Sequence, residues 1–206
     1  MDNLKLPYAL NLYQELVPVL RATKAEEYRC PLCLSHVILK DGEFRTKHFS
    51  HPKDSGCSNE SVEHFISKSL IQRAFEDNAN GKIQLKYEYK CQICKKKHLE
   101  YIAREHYSHA RLEVPINEFI CDVVAFKDKY PLLAVEVYHR NSVEKSKAEN
   151  LPISWVEVKS ESILKDSTTL KVKCHSLLNA CGRSTLLPKD KKKGGKKIPK
   201  DGCSTT

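Results

Sequence analysis

The stretch from Phe119 to Arg140 constrains the fold of this chain more than any other. Two short apolar runs, Ile120-Cys121-Asp122-Val123-Val124-Ala125-Phe126 and Leu132-Leu133-Ala134-Val135-Glu136-Val137-Tyr138, each carry one carboxylate. Between them, the five residues Lys127-Asp128-Lys129-Tyr130-Pro131 are mostly polar and end in proline, which predicts a hairpin connection. A hairpin centred on Lys129 sets Asp122 opposite Glu136, with Ile120 and Tyr138 on the same face. Opposed Cβ atoms are ~5 Å apart, and two carboxylates at that distance repel by ~3 kcal/mol at an effective dielectric near 20. A sheet does not carry such a pair for stability. A cation belongs there, and the simplest is a divalent metal on oxygen ligands. A slip of one residue in register would instead turn one carboxylate to water.

The 206 residues suffice for one medium domain and a small module. Formal net charge is +9, from 35 basic and 26 acidic residues, which favours a polyanionic partner, nucleic acid first. Part of that excess lies in Lys189–Lys200, a lysine run with Gly and Pro, expected to be disordered. The run reads equally as a nuclear-localisation patch, a phosphate-binding tail or a solubilising end. No uninterrupted apolar run is long enough for a membrane helix, and the start of the chain carries no secretory pattern. The nine cysteines are therefore expected in a reducing compartment, cytoplasm or nucleus, where cysteine pairs more often bind metal than form disulfides.

Cys30-Pro31-Leu32-Cys33 is a tight Cys-x-x-Cys, followed at zinc-module spacing by His48-Phe49-Ser50-His51. The residues between, His36 to Arg45, read as strand, Asp41-Gly42 turn and strand. That hairpin would carry the histidines back beside the thiols, giving Cys30, Cys33, His48 and His51 as a closed structural zinc set, with Cys57 the alternative to His51. Cys91-Gln92-Ile93-Cys94 repeats the spacing after an expected strand, Lys82–Tyr89. Its candidate partners are His98 nearby, or Cys174 and Cys181 far downstream; free buried thiols are the other reading.

A helix is expected from the capping residues at Ser58–Ser61 to about Asp77. Val62, Ile66, Leu70 and Ala74 make its buried stripe, and Glu60, His64 and Lys68 recur along another face. Those three read as a solvated face on their own, and as completing a metal–phosphate site beside the strand carboxylates. Asn78-Ala79-Asn80-Gly81 ends the helix.

The order of these motifs resembles the competence-protein CoiA-like family, whose catalytic part is similar to the PD-(D/E)XK nucleases. The resemblance runs from about Leu6 to Leu164. It rests on Cys-Pro-x-Cys, His-Phe-Ser-His, Glu60-Ser61-x-x-His64-x-x-x-Lys68, Cys121-Asp122-Val123-Val124 and Ala134-Val135-Glu136-Val137-Tyr138. It implies an α+β protein: a zinc-binding β module over residues 1–58, a restriction-endonuclease-like core with a mixed sheet over 59–186, and a lysine-rich tail over 187–206. It also implies Asp122 and Glu136 as ligands of catalytic Mg²⁺ or Mn²⁺, Glu60 as a further acid and His64 as a group orienting phosphate or water. Tyr138 stands where such sites place a lysine, and Lys68 could supply that charge. The implied activity is hydrolysis of nucleic-acid phosphodiesters, DNA foremost, with an inactive zinc-containing binding or scaffold protein as the alternative. The helix of Glu144–Asn150 and the strand of Ile153–Val158, anchored by Trp155, complete the expected core.

Overall fold

Short runs rich in β-branched and aromatic residues, separated by polar turns, make strands through most of the chain. The computed structural model describes residues 5–42, 45–52, 57, 59–91, 94–138 and 142–176. They form a mixed α/β protein, mostly sheet with few helices, in two units that divide between Ile66 and Ser67. The expected lysine-rich tail lies outside the described residues.

In the first unit, β1 (Lys5–Leu6), β2 (Tyr8–Leu10), β3 (Leu16–Pro18), β4 (Tyr28–Arg29), β5 (His36–Gly42) and β6 (Arg45–Ser50) form one sheet in the order β1-β6-β5-β4-β2-β3. Its core is Leu6, Ala9, Tyr28, Val37 and Phe49, with the Tyr28 and Phe49 rings 4.8 Å apart. The turn expected at Asp41-Gly42 is displaced. Strand β5 runs through both residues, beside a register shift between Lys40 and Gly42.

Helix α1 (Asn59–Ala79) crosses the division between the units. Val62, Ile66, Leu70 and Ala74 are buried as the periodicity requires, joined by Ile71 and Phe75. Gly81 adopts a left-handed φ of +73° just past the helix end. The buried Asn78 side chain donates to Ile102 O and accepts from the Leu85 N–H, tying the helix end to the next segment. That tie occupies residues before Lys86, so the expected strand at Lys82–Tyr89 starts later.

The second unit holds β7 (Lys86–Lys90), β8 (Lys97–Tyr101), β9 (His109–Ile116), β10 (Phe119–Lys127), β11 (Tyr130–Tyr138), α2 (Lys145–Asn150), β12 (Ser154–Lys159), α3 (Ser160–Lys165) and β13 (Thr169–His175). The sheet order is β8-β7-β13-β12-β11-β10-β9. Strands β11 and β12 pair in parallel, with α2 in the crossover between them, and β13 and β7 are also parallel. Val123, Val124 and Ala125 of β10 and Leu133, Ala134 and Val135 of β11 are fully buried, so these central strands are covered on both faces. Trp155 packs with Cys121, Val124, Phe126, Ala134 and Cys174, and its indole N–H donates to Ala148 O.

The hairpin between β10 and β11 is tighter than expected. Only Asp128 and Lys129 connect the strands, with Asp128 at φ +53° and its N–H bonded to Ser108 Oγ. Near the turn Lys127 pairs with Tyr130, whereas beyond a bulge at Ala125/Phe126 the register is Val123 with Val135. The bulge restores the register that a turn centred on Lys129 would have produced.

Candidate functional site

Three strands each present one carboxylate to the same region of the second unit. The β10–β11 ladder stops at Val123–Val135, one step short of Asp122 and Glu136. Instead of a regular ladder pair, the Val137 N–H donates to Asp122 Oδ2 at 2.8 Å. On the other side of β11, Glu136 is in register with Glu157 of β12. Asp122, Glu136 and Glu157 line an open pocket of about 430 Å³, together with Ile120, Ser142 and Lys147.

Each carboxylate has a lysine. Lys68 of α1 lies 3.8 Å from Asp122 and also bonds Glu113. Lys147 of α2 donates to Glu136 Oε2 at 2.6 Å and to Ile120 O at 2.7 Å. Lys173 of β13 sits 3.0 Å from Glu157 Oε2, and the Val143 N–H donates to Glu157 Oε1 at 2.7 Å. Charge repulsion on the sheet therefore does not by itself demand a metal, because three ammonium groups from surrounding elements supply the cations.

Glu136 remains the exceptional member. Burial raises its carboxyl pKa, with Lys147 opposing and Asp122 adding to the shift. Its Oε1 is buried, and the neighbouring Cys121 thiol hydrogen-bonds to the carboxylate. The Cys121 thiol beside it is pushed up to about 12, by burial first and by the Glu136 charge second. Glu113, which accepts from Lys68, has a left-handed φ of +50° within β9. That conformation is uncommon for a residue bearing a Cβ and stores strain beside the pocket.

Tyr138 supplies no charge here. Its ring lies under Lys173 Nζ at 3.5 Å, a cation–π contact that holds this lysine near Glu157. Glu60 and His64 lie two turns and one turn before Lys68 on α1, in the first unit.

Four ligand atoms of Cys30, Cys33, His51 and Cys57 lie within 4.8 Å of one another and form a zinc-binding candidate. The expected set is corrected at one position: Cys57 takes the place of His48, not of His51. His48 and His51 are three residues apart in extended chain, an odd spacing that sends their side chains to opposite sides. The His48 ring instead meets Thr46 O at 2.8 Å, while His51 is buried with Nε2 4.0 Å from Cys33 Sγ. Burial pushes the Cys33 thiol up, but hydrogen bonds from Ser35 and Cys57 outweigh it and bring it down to about 7. Burial lowers the His51 pKa, which favours the neutral imidazole a metal needs. The set of three sulfurs and one nitrogen matches a closed structural zinc site.

Residues 13–60 match the family model of the competence protein CoiA, N-terminal domain. The CoiA match contains all four ligands of this cluster and supports the CoiA-like resemblance over that segment. The strand carboxylates lie outside it. No curated protein and no solved structure matches the chain.

The second thiol pair also gathers a histidine, but not the distant cysteines. Cys91, Cys94 and His98 have ligand atoms within 4.8 Å of one another. Cys174 is disulfide-bonded and packs against Trp155, so its sulfur is no thiolate ligand, and Cys181 lies outside the described residues. Sequence reasoning also passed over Glu157, Lys147, Lys173 and Glu113. Glu157 had a signal, being a lone carboxylate in an apolar strand like Asp122 and Glu136. The two lysines had none, since only the tertiary fold selects them from so many.

Proposed function

We propose that this chain is a divalent-metal-dependent nuclease that hydrolyses phosphodiester bonds of nucleic acid, with DNA as the first substrate to test, in DNA processing or recombination. The observation that carries this reading is that Asp122 and Glu136, from neighbouring strands, line one open pocket together with Lys147. The oxygen donor set fits Mg²⁺ or Mn²⁺, which Asp122 and Glu136 would hold. When bound, such an ion activates water and offsets charge on the phosphate.

The chain's own groups prepare the pocket for that chemistry. Lys147 anchors Glu136 through Oε2. The Val137 N–H anchors Asp122 in the same way. Lys68 and Lys147 place positive charge where a phosphate would enter, replacing the lysine absent at Tyr138. Glu60 and His64 remain candidates through the resemblance. The formal charge of +9 supports a sequence-independent grip on a polyanion that weakens with salt.

A second reading, an inactive zinc-containing binding or scaffold protein, draws on the three lysine–carboxylate pairs, which give Asp122, Glu136 and Glu157 each a cation without a metal. Plasmid and single-stranded DNA cleavage with Mn²⁺, run on wild type and Asp122→Ala, separates the two. Cleavage that disappears in the variant supports the nuclease. DNA binding without cleavage under any divalent metal, together with no Mn²⁺ binding, supports the scaffold.

A further inference from the structure

The described residues around Cys91 and Cys94 repeat the hydrogen bonds made around Cys30 and Cys33. In the first, the Cys30 N–H donates to Ser35 O at 2.8 Å and the Leu34 N–H to Cys30 O at 3.0 Å. In the second, the Cys91 N–H donates to Lys96 O and the Lys95 N–H to Cys91 O, both at 2.9 Å. Leu34 and Lys95 share a φ of +60°. Each turn joins a strand ending just before its first cysteine to one beginning just after the turn, and the flanking residues pair in the same way, Arg29 with His36 and Lys90 with Lys97. Left-handed backbone costs roughly 1–2 kcal/mol in a residue with a Cβ. Two such turns with sulfurs at matching positions have a shared reason in metal ligation, since this shape aims both thiols of a Cys-x-x-Cys at one point.

The third ligand is held in place by an aromatic stack. The His98 ring lies on Tyr89 at 5.4 Å and 20°, and Tyr89 lies on Tyr87 at 5.5 Å and 13°. Both tyrosine hydroxyls donate to Glu100, at 2.7 and 2.8 Å. His98 Nε2 thus sits 3.1 Å from Cys94 Sγ. Support of this kind orients a metal-bound histidine.

We propose that Cys91, Cys94 and His98 hold a second Zn²⁺. Two thiolates and an imidazole favour zinc over the oxygen-seeking ions expected at Asp122 and Glu136. On loading, both thiols release their protons to solvent, so uptake weakens in acid. The ion staples the β7–β8 hairpin at the edge of the seven-stranded sheet. It is independent of the nuclease reading.

The test is zinc content by mass spectrometry on full-length protein, comparing wild type with Cys91→Ser/Cys94→Ser. The expected result is two zinc ions per chain in wild type and one fewer in the variant. Equal zinc in the two proteins overturns the site. Should the variant fail to fold, Co²⁺ titration of metal-free wild type decides: thiolate-to-cobalt absorption rising to two equivalents supports the second site, and saturation at one overturns it. In the same titration His98→Ala should weaken the second equivalent at least roughly tenfold, as loss of a ligand must; an unchanged second equivalent removes His98 from the site.

Discussion

In the first unit, Cys30, Cys33, His51 and Cys57 converge from a turn, a strand end and a loop, with ligand atoms within 4.8 Å. In the second, Asp122, Glu136 and Glu157 converge from three paired strands, and each carboxylate already faces a lysine. Thiols tolerate one another while protonated, but they hold nothing together until deprotonated onto a metal. Buried carboxylates repel from the start, so the fold must supply their cations itself. The thiol cluster should therefore depend on metal for its structure, and the carboxylate pocket for at most its chemistry.

The largest effect that would break this contrast is metal removal. Chelation of zinc should unfold the first unit, since structural zinc contributes on the order of 10 kcal/mol in small modules, while the seven-stranded sheet, which the second ion would staple only at its β7–β8 edge, should stay folded with a smaller drop in its melting transition. Circular dichroism and calorimetry on chelated protein read both. His51→Ala should lose the ion and His48→Ala should keep it; the reverse would restore the ligand set read from the sequence.

Next comes Glu136→Ala. Removing one carboxylate from a repelling pair would stabilise a bare sheet, but here it strands Lys147, which is only 14% exposed. Destabilisation of about 3 kcal/mol is expected, as for a broken buried ion pair, with a smaller loss for Glu136→Gln. Urea midpoints check this, and a more stable Glu136→Ala would show that Lys147 is not a true partner.

Tyr138→Lys sharpens the same point. A lysine there meets Lys173 and forfeits a cation–π contact worth about 1 kcal/mol. It should lower stability by about that amount and bring no gain in cleavage; a faster enzyme would mean that the strand position still wants a charge.

The smallest effect is a pH slope. Burial holds the Glu136 carboxyl above its ordinary 4.5. Between the unfolded and folded values the native chain binds the proton more tightly, so this contribution to stability falls as pH rises through that window and is level above it. Glu136→Gln should lack that slope. Comparing urea midpoints of the two proteins across the window isolates it, because acid release of zinc is common to both.

Much of this was legible in the residues. The register of β10 with β11 up to Val123–Val135 could be read from hairpin symmetry, although the connection is two residues shorter at its β11 end than expected and a bulge at Ala125/Phe126 makes up the difference. Cys30, Cys33 and His51 follow from spacing. Cys57 was legible only as an alternative to His51, because no periodicity ties it to the other three.

Local patterns fixed what depends on neighbours in the chain: the buried stripe of α1, the apolar strands around each carboxylate and the two Cys-x-x-Cys turns. The tertiary structure alone decided which further cations meet those carboxylates. Lys68 stood out by its helical spacing, whereas Lys147 and Lys173 come from elements far apart in sequence, and a pairing made by through-space contact at 2.6 to 3.0 Å leaves no periodic trace in the chain.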